Sequence, residues 1–141
     1  MSRIGKLQRL STRERRDLWP AAWRLLVARL MLSLLGIKRT QQWLGGGQVT
    51  ADGSGSDLAP WRRRALAMRR VAAVVPGAHC LARALALRWW MRSAGLEARL
   101  KLGVRRDQDQ THSHAWVECA GKPIDDQPET VAQFRVVEWA D

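Results

Sequence analysis

Cysteine is scarce in this chain, and no targeting segment is recognisable. Two cysteines in 141 residues are too few for a disulfide framework. The apolar part of the N-terminal segment begins late and carries Arg24 and Arg29, which does not fit a signal peptide. We therefore predict a cytoplasmic protein whose thiols are reduced.

Long apolar runs without charge are also missing. The stretch AAWRLLVARLMLSLLGI, residues 21–37, is cut by the same two arginines and is too short for a membrane span. An amphipathic helix that lies on a membrane surface is still compatible with this pattern. The sequence thus predicts no transmembrane segment and leaves peripheral membrane contact open.

Acidic residues are rare in the first part of the chain. Residues 1–75 contain 15 Lys and Arg but only 4 Asp and Glu, whereas residues 76–141 contain 9 of each kind. The net charge of +11 therefore belongs to the first part. A basic surface attracts nucleic acid, anionic lipid or an acidic protein, and it is often only a solvated face. Because no helix-turn-helix, zinc finger or RNA-binding motif accompanies the charge, we predict no nucleic-acid partner.

Composition divides the chain into three predicted parts, and its length suits one modest core. Residues 1–46 form a basic helical region, residues 47–60 a Gly/Ser-rich linker or exposed loop, and residues 61–141 a globular domain. The glycines at 45–47 are not followed by Gly-Lys-Ser or Gly-Lys-Thr, so they do not form a phosphate-binding loop. We predict no nucleotide site here and no cofactor.

The stretch PGAHCLARALALRWW, residues 76–90, puts Cys80 at the start of an Ala/Leu-rich run. Helical spacing predicts a helix over about 79–94, which Gly95 ends in a left-handed conformation. The run is apolar nearly all round, which is typical of a central helix that is covered on several sides.

After Gly95 the apolar period changes from helical to two. LEARLKLGV, residues 96–104, and HSHAWVEC, residues 112–119, predict two strands. On the second strand His114 and Trp116 share one face, and Cys119 lies on the other. AGKP predicts a turn, IDD a short third segment, and FRVVEW, residues 134–139, a last strand. A helix followed by antiparallel strands is an α+β arrangement.

Cys80 is a candidate nucleophile, because a thiol reacts as the thiolate and a helix N-terminus stabilises that anion. Its backbone N–H is available there to donate to an oxyanion. His114, held in a fixed direction on its strand, is the candidate base. Asp125 or Asp126, 11 and 12 residues further on, is the candidate carboxylate that orients the imidazole. Alternation gives only one of the two aspartates the correct face.

Each of these residues also has a simpler interpretation. A single cysteine in an Ala/Leu run is usually a small buried side chain. His112, His114 and Glu118 share one strand face and form an alternative metal site, although no second His/Cys pair accompanies them. We therefore predict no metal, and we assign Cys119 to core packing.

Taken together and in this order, the motifs resemble one family. A proline before Cys-Leu, the continuation CLARALALRWWMRSAGLEARLKLGVRR and the segment HSHAWVECAGKPIDD are similar to transglutaminase-like cysteine proteases of lasso-peptide biosynthesis. These are the leader peptidases called B-proteins, here in the form in which the protease half stands alone. The resemblance runs from Pro76 to Trp139. It implies a transglutaminase-like, papain-like core, in which a central helix packs on an antiparallel sheet, preceded by an N-terminal helical region.

The resemblance also implies roles for individual residues. Cys80 is the implied nucleophile, His114 the general base and then acid, and Asp126 the orienting carboxylate, because the family's aspartate ends a G-x-P-x-x-D segment. The implied reaction is hydrolysis of a ribosomally made precursor peptide between its leader and its core. The implied partners are this precursor, a separate PqqD-like leader-recognition protein, and an asparagine-synthetase-like lasso cyclase that receives the core.

Two other classes of function compete with this one. A basic nucleic-acid-binding or interaction module without catalysis would depend on charge, and its activity would survive Cys80→Ala. An acyl transferase of the transglutaminase type would use the same triad to join two chains instead of adding water. For a leader peptidase, the basic first part is a candidate docking surface for the recognition protein, the leader or the cyclase, a hypothesis that rests on the charge distribution alone.

Overall fold

A computed structural model describes residues 12–44, 48–55, 57–75, 77 and 79–137. Over these residues the chain forms four helices and four strands. In chain order they are α1 (Thr12–Trp43), α2 (Ala59–Ala72), α3 (Cys80–Ser93), β1 (Ala98–Asp107), β2 (Gln110–Cys119), β3 (Lys122–Pro123), α4 (Pro128–Val131) and β4 (Arg135–Val137). Three helices precede the sheet, which confirms the predicted α+β class with an N-terminal helical region.

The first helix is long but not continuous. α1 passes through Pro20 and is interrupted at Gly36, whose φ of 79° and ψ of 174° are not helical. Glycine takes a positive φ without the clash that a Cβ would cause, so the break falls at this residue. The chain resumes its helical course after Gly36 and reaches Trp43.

The central helix, α3, agrees closely with its predicted limits. His79 precedes it in an extended conformation (φ −83°, ψ 176°), so Cys80 is the first helical residue. Gly95 follows the helix with φ +88°, and its N–H donates to the carbonyl of Arg92 at 2.9 Å, as expected for a glycine that ends a helix. The helix packs on α1, α2, β1 and β2, and most of its residues from Ala82 to Met91 are buried.

The sheet has the order β3-β2-β1-β4, and each neighbouring pair is antiparallel. β1 and β2 form a long hairpin in which Ala98 lies opposite Cys119 and Gly103 opposite His114. Ala115, Val117 and Cys119 of β2 join the hydrophobic core. The alternation predicted for β2 is confirmed, since these residues face the helices.

The last part of the chain differs in detail from the sequence prediction. Ile124 donates its N–H to the carbonyl of Val117, but the third strand itself is the preceding Lys122–Pro123. A short helix, α4, follows and was not predicted. The last strand starts at Arg135 and pairs with β1. Residues 138–141, which include the end of the predicted strand, lie outside the described residues.

Tryptophan contacts join α1 to α3 and α2 to α3. The rings of Trp23 and Trp89 meet edge to face at 5.2 Å, and those of Trp61 and Trp90 at 5.9 Å. The Arg24 guanidinium lies 4.4 Å from the Trp23 ring centre and 4.7 Å from that of Trp90. Burial, together with the charge of Arg64, lowers the pKa of Arg24. Stacking on aromatic faces offsets part of the cost of removing this cation from water.

The predicted division of the chain at residues 46 and 61 stays a prediction. Ala21, Leu25 and Ala28 of α1 are fully buried in the same core cluster as residues of α2 and α3. The segment predicted as a linker or exposed loop is mostly exposed where it is described. It is nevertheless attached to the start of the sheet, because the N–H groups of Thr50 and Ala51 both donate to the carbonyl of Gly95 at 2.8 and 3.0 Å.

Candidate active site

The two cysteines occupy different environments. Cys80 is a free thiol on the first residue of α3 and is only half-buried. Cys119 is 1% exposed, its Sγ lies 3.7 Å from the carbonyl oxygen of Asp52, and burial raises the pKa of its thiol. Cys119 is thus a core residue, as predicted, and Cys80 is the more accessible thiol.

His114 and Asp126 are in direct contact. The Nε2 of His114 forms a hydrogen bond with Oδ2 of Asp126. The side chains are only 19% and 9% exposed, respectively. The other carboxylate oxygen of Asp126 accepts the backbone N–H of Gln127 at 2.9 Å. With Nε2 engaged by a fixed carboxylate, Nδ1 is the imidazole nitrogen left to exchange a proton with a substrate or a nucleophile.

Two aromatic rings orient the His114 imidazole. Trp116, on the same face of β2, stacks on it with ring centres 5.9 Å apart and an interplanar angle of 27°. Phe134 lies 5.2 Å away on a different segment, just before β4. The indole N–H of Trp116 donates to Glu118 at 2.8 Å, which fixes the indole in turn. The imidazole is therefore held by packing as well as by the carboxylate.

Gly103 leaves the space that these rings occupy. It lies opposite His114 in the β1–β2 register. A Cβ at this position would come within 2.6 Å of the Phe134 Cβ and 2.8 Å of the Trp116 ring. Both rings therefore reach their places beside the imidazole because residue 103 has no side chain.

Asp125 supports the loop that carries Asp126. Its Oδ1 accepts the N–H of Val117 at 2.9 Å, and its backbone carbonyl accepts Nη2 of Arg69 at 2.9 Å. Burial raises the pKa of the Asp125 carboxyl to about 6; the N–H of Val117 and the charge of Arg83 lower it, whereas the nearby Asp126 raises it further. Asp125 thus contacts β2, the strand that carries His114, while Asp126 contacts the imidazole itself.

Cys80 shares a helical face with two residues of α3 that line a pocket beside the histidine. A pocket is lined by His114, Asp125 and Asp126 together with Arg83 and Leu87 of α3. Residues 80, 83 and 87 share one face of a helix, because neighbours three and four apart point the same way. The structure brings His114 and Asp126 into hydrogen-bond contact and puts Cys80 one turn before the pocket-lining Arg83.

A wider groove continues from this pocket. It has a volume of about 500 Å³ and shares Asp125 and Asp126 with the pocket. One wall comes from α2, with Arg62, Leu66 and Arg69, and the other from residues 123–128. A groove with charged and apolar walls beside an imidazole suits an extended polar chain such as a peptide.

The alternative metal ligands do not come together. His112 is exposed, His114 bonds Asp126, and Glu118 accepts the indole N–H of Trp116. Among the described residues no three His, Cys, Asp or Glu side chains lie close enough to hold a metal ion.

Sequence reasoning missed three residues at this site. Phe134, Arg69 and Arg83 touch or surround the imidazole and the aspartate loop. Arg83 had a signal, since it is one turn after Cys80 on the same helical face. Phe134 and Arg69 had none, because each reaches the site from a distant segment and looks like an ordinary member of a strand or of a basic helix.

Comparison with known proteins identifies a family. A family model described as the transglutaminase-like superfamily matches residues 20–138. That range covers most of α1 as well as the helices and strands that carry Cys80, His114 and Asp126. No curated protein and no solved structure matches the chain.

Proposed function

The chain belongs to the transglutaminase-like superfamily, which includes cysteine peptidases, and from this we propose that it is a cysteine peptidase with Cys80, His114 and Asp126 as its triad. The observation that carries the proposal is the hydrogen bond between His114 Nε2 and Asp126. A carboxylate in this position selects one tautomer of the imidazole and stabilises its charged form.

The proposed mechanism starts with proton transfer from the Cys80 thiol to Nδ1 of His114. The sulfur attacks the scissile carbonyl, and the first backbone N–H groups of α3, which have no partner within the helix, donate to the oxyanion. His114 then protonates the leaving amine, and the C–N bond breaks to leave an acyl-enzyme. Water, deprotonated by the same imidazole, releases the carboxylic acid and restores the thiol.

We further propose that the substrate is a lasso-peptide precursor, which the enzyme cuts between leader and core. The resemblance of CLARALAL and HAWVE in this chain to the B-protein leader peptidases supports this choice. The groove between α2 and residues 123–128 offers a surface for the peptide next to His114 and Asp126. The partners in this proposal are a PqqD-like leader-recognition protein and an asparagine-synthetase-like cyclase, and the enzyme acts in the cytoplasm.

The test is cleavage of a matching precursor in the presence of the leader-recognition protein, followed by peptide mass. We expect the wild type to release leader and core, whose masses sum to that of the precursor plus one water. Cys80→Ala should abolish cleavage. His114→Ala and Asp126→Asn should lower kcat by about 10²-fold to 10⁴-fold, the range in which acid–base catalysis contributes.

Asp125→Asn is the matched control, since it makes the same chemical change one residue away and leaves the His114 contact in place. It should retain most of the cleavage rate. Full cleavage by Cys80→Ala would refute the peptidase proposal. A product that joins the acyl group to an amine would instead identify an acyl transferase with the same triad.

A further inference from the structure

The outer side of α1 carries an exposed apolar stripe. Trp19, Leu26, Leu30 and Leu34 are spaced seven, four and four residues apart, so they follow one face of the helix. Their exposed fractions are 75%, 47%, 54% and 77%. At 1.5 Å per residue the stripe is about 22 Å long. The opposite face, with Ala21, Leu25 and Ala28, is fully buried in the core, so α1 is apolar on both sides.

The two arginines inside this apolar segment point into the protein. The guanidinium of Arg24 lies over the rings of Trp23 and Trp90. The guanidinium of Arg29 packs against Gly77, with Nη2 only 2.8 Å from where a Cβ would stand. Residues 18–37 contain no other charged side chain. The exposed face of the helix is therefore free of charge along the stripe, which the sequence alone did not indicate.

Cations stand at both ends of the stripe. Arg15 and Arg16 are exposed before it, and Lys38 and Arg39 are exposed after it. The neighbouring acid Asp17 is only 17% exposed at its side chain and lies 3.9 Å from Arg64. The wider region has the same sign, with 15 basic and 4 acidic residues in positions 1–75. An apolar strip with Trp at one end and cations at both ends matches an interface with anionic headgroups around hydrocarbon.

We propose that the outer face of α1 binds the surface of an anionic lipid bilayer, with Trp19, Leu26, Leu30 and Leu34 inserted at the headgroup boundary and the flanking cations on lipid phosphates. Charge complementarity favours a lipid surface as the partner. Anionic headgroups surround the hydrocarbon on every side, so they meet the cations at both ends of the apolar stripe. This inference is independent of the proposed peptidase activity.

The helix lies on the membrane and does not span it. By length and composition, Arg15–Trp43 is the one helix in the described part of the chain that is long and apolar enough to cross a membrane. Spanning would require α1 to leave α2 and α3, and it would bring the stacked Arg24 and the packed Arg29 into hydrocarbon. Charged side chains at the bilayer centre are costly, whereas a surface position keeps both arginines in their protein contacts.

The experiment is sedimentation of the full chain with vesicles of phosphatidylcholine that contain about one-third phosphatidylglycerol, an anionic lipid. Binding is expected to the mixed vesicles, with a weaker signal on pure phosphatidylcholine and at high salt. The variant Leu26→Gln/Leu30→Gln/Leu34→Gln keeps the charge and should bind at least about tenfold more weakly, because three apolar side chains no longer leave water. Its melting temperature should match that of the wild type, since these side chains face outward.

A matched control changes exposed apolar residues elsewhere. Val49→Gln/Val136→Gln should bind vesicles like the wild type, since both residues are about as exposed as Leu26 but lie outside α1. Lys38→Glu/Arg39→Glu should weaken binding to the anionic vesicles and have little effect on the neutral ones.

Four results would overturn the proposal. They are an absence of vesicle binding, equal binding by the triple Gln variant, bound protein that resists alkaline carbonate extraction, and a wild-type dimer that the triple variant converts to a monomer without any lipid binding. The third result would identify a spanning helix, and the fourth an interface between two copies of this chain. The vesicle experiment measures binding and not cleavage, so none of its outcomes bears on the peptidase proposal.

Discussion

Two consecutive aspartates at the site perform different tasks. Asp126 accepts a hydrogen bond from the imidazole of His114, while Asp125 turns to β2 and accepts the N–H of Val117. The spacing from His114 allowed either residue to be the partner, and only the G-x-P-x-x-D segment favoured Asp126. In the folded protein Arg69 donates a hydrogen bond to the backbone carbonyl of Asp125. This contact helps to fix the orientation of the loop that carries both aspartates.

The burial of Asp125 predicts a pH dependence of stability. Its carboxyl has a pKa of about 6 in the folded protein against an ordinary value of 3.8. The folded state therefore holds this proton more tightly than the unfolded state. Its contribution to the free energy of unfolding is complete below pH 3.8 and is lost as the pH rises to about 6, above which the fold carries a poorly solvated carboxylate.

Asp125→Asn should remove this dependence, because an amide has no charge to desolvate and keeps an oxygen for Val117. Melting temperatures measured from pH about 4 to 7 are expected to show the variant gaining on the wild type as the pH rises. Asp109→Asn, at an exposed turn, serves as the control and should follow the wild type throughout. A constant difference between the Asp125 variant and the wild type would contradict the assignment.

At the scale of elements, the sequence predicted those helices and strands whose apolar spacing is visible within one short segment. The helix over Cys80–Ser93 follows from a continuous apolar run between a start and a stop signal, and the two long strands follow from their alternating apolar residues. Gly95 ends the helix as expected, with φ +88°. Helix order and strand alternation thus predicted the α+β class, and the resemblance of the ordered motifs to a known family implied the transglutaminase-like architecture.

Contacts between distant segments could not be predicted in this way. Phe134 reaches His114 from the end of the chain, and Gly36, rather than a residue with an obvious breaking signal such as Pro20, interrupts α1. Arg24 looked like a charge that divides an apolar run, whereas it stacks on Trp90. A side chain's sequence neighbours do not indicate which ring or loop it will meet after the chain has folded.

Gly103 on β1 leaves no room for a side chain beside Trp116 and Phe134. Gly103→Ala should push the rings of Trp116 and Phe134 away from the imidazole, since a Cβ would approach both within 2.8 Å. Overpacking of this kind costs about 1–3 kcal/mol of stability. We expect a lower melting temperature and a lower kcat for peptide cleavage, because His114 loses the two contacts that orient it.

Gly55→Ala provides the same substitution at a glycine with no atom within 4 Å of the new methyl group. It should leave both the melting temperature and kcat close to wild type. If Gly103→Ala behaved like Gly55→Ala, the aromatic rings would be free to move and would have no part in positioning the histidine.

At the scale of the whole molecule, the basic residues at 62–64 of α2 differ in their surroundings. Arg64 lies 4.4 Å from the Trp61 ring centre and 5.2 Å from that of Trp90, so it belongs to the packing between helices. Arg62 and Arg63 are exposed. Of these three arginines, only Arg62 and Arg63 are therefore suited to dock a partner, whereas Arg64 contributes to the packing of the helices.

Arg62→Glu/Arg63→Glu should therefore weaken co-purification with the leader-recognition protein at low salt, with little change in melting temperature. The expected loss is greatest at low ionic strength, where long-range attraction is least screened. Arg106→Glu/Lys122→Glu makes the same change in net charge at exposed positions of the sheet and should bind as the wild type does. Equal weakening by both pairs would mean that only net charge matters.

The tryptophan contacts between α1 and α3 also bear on the order of events during translation. Arg24 and Trp23 leave the ribosome before Trp89 and Trp90 do, so the first helix initially lacks the partners that α3 provides for its inner face. Such non-local contacts form late and expose apolar surface on a nascent chain. Until Trp90 has left the ribosome, the part of α1 that packs on α3 stays uncovered, and during this interval a chaperone or a lipid surface can bind the apolar side chains of the nascent chain.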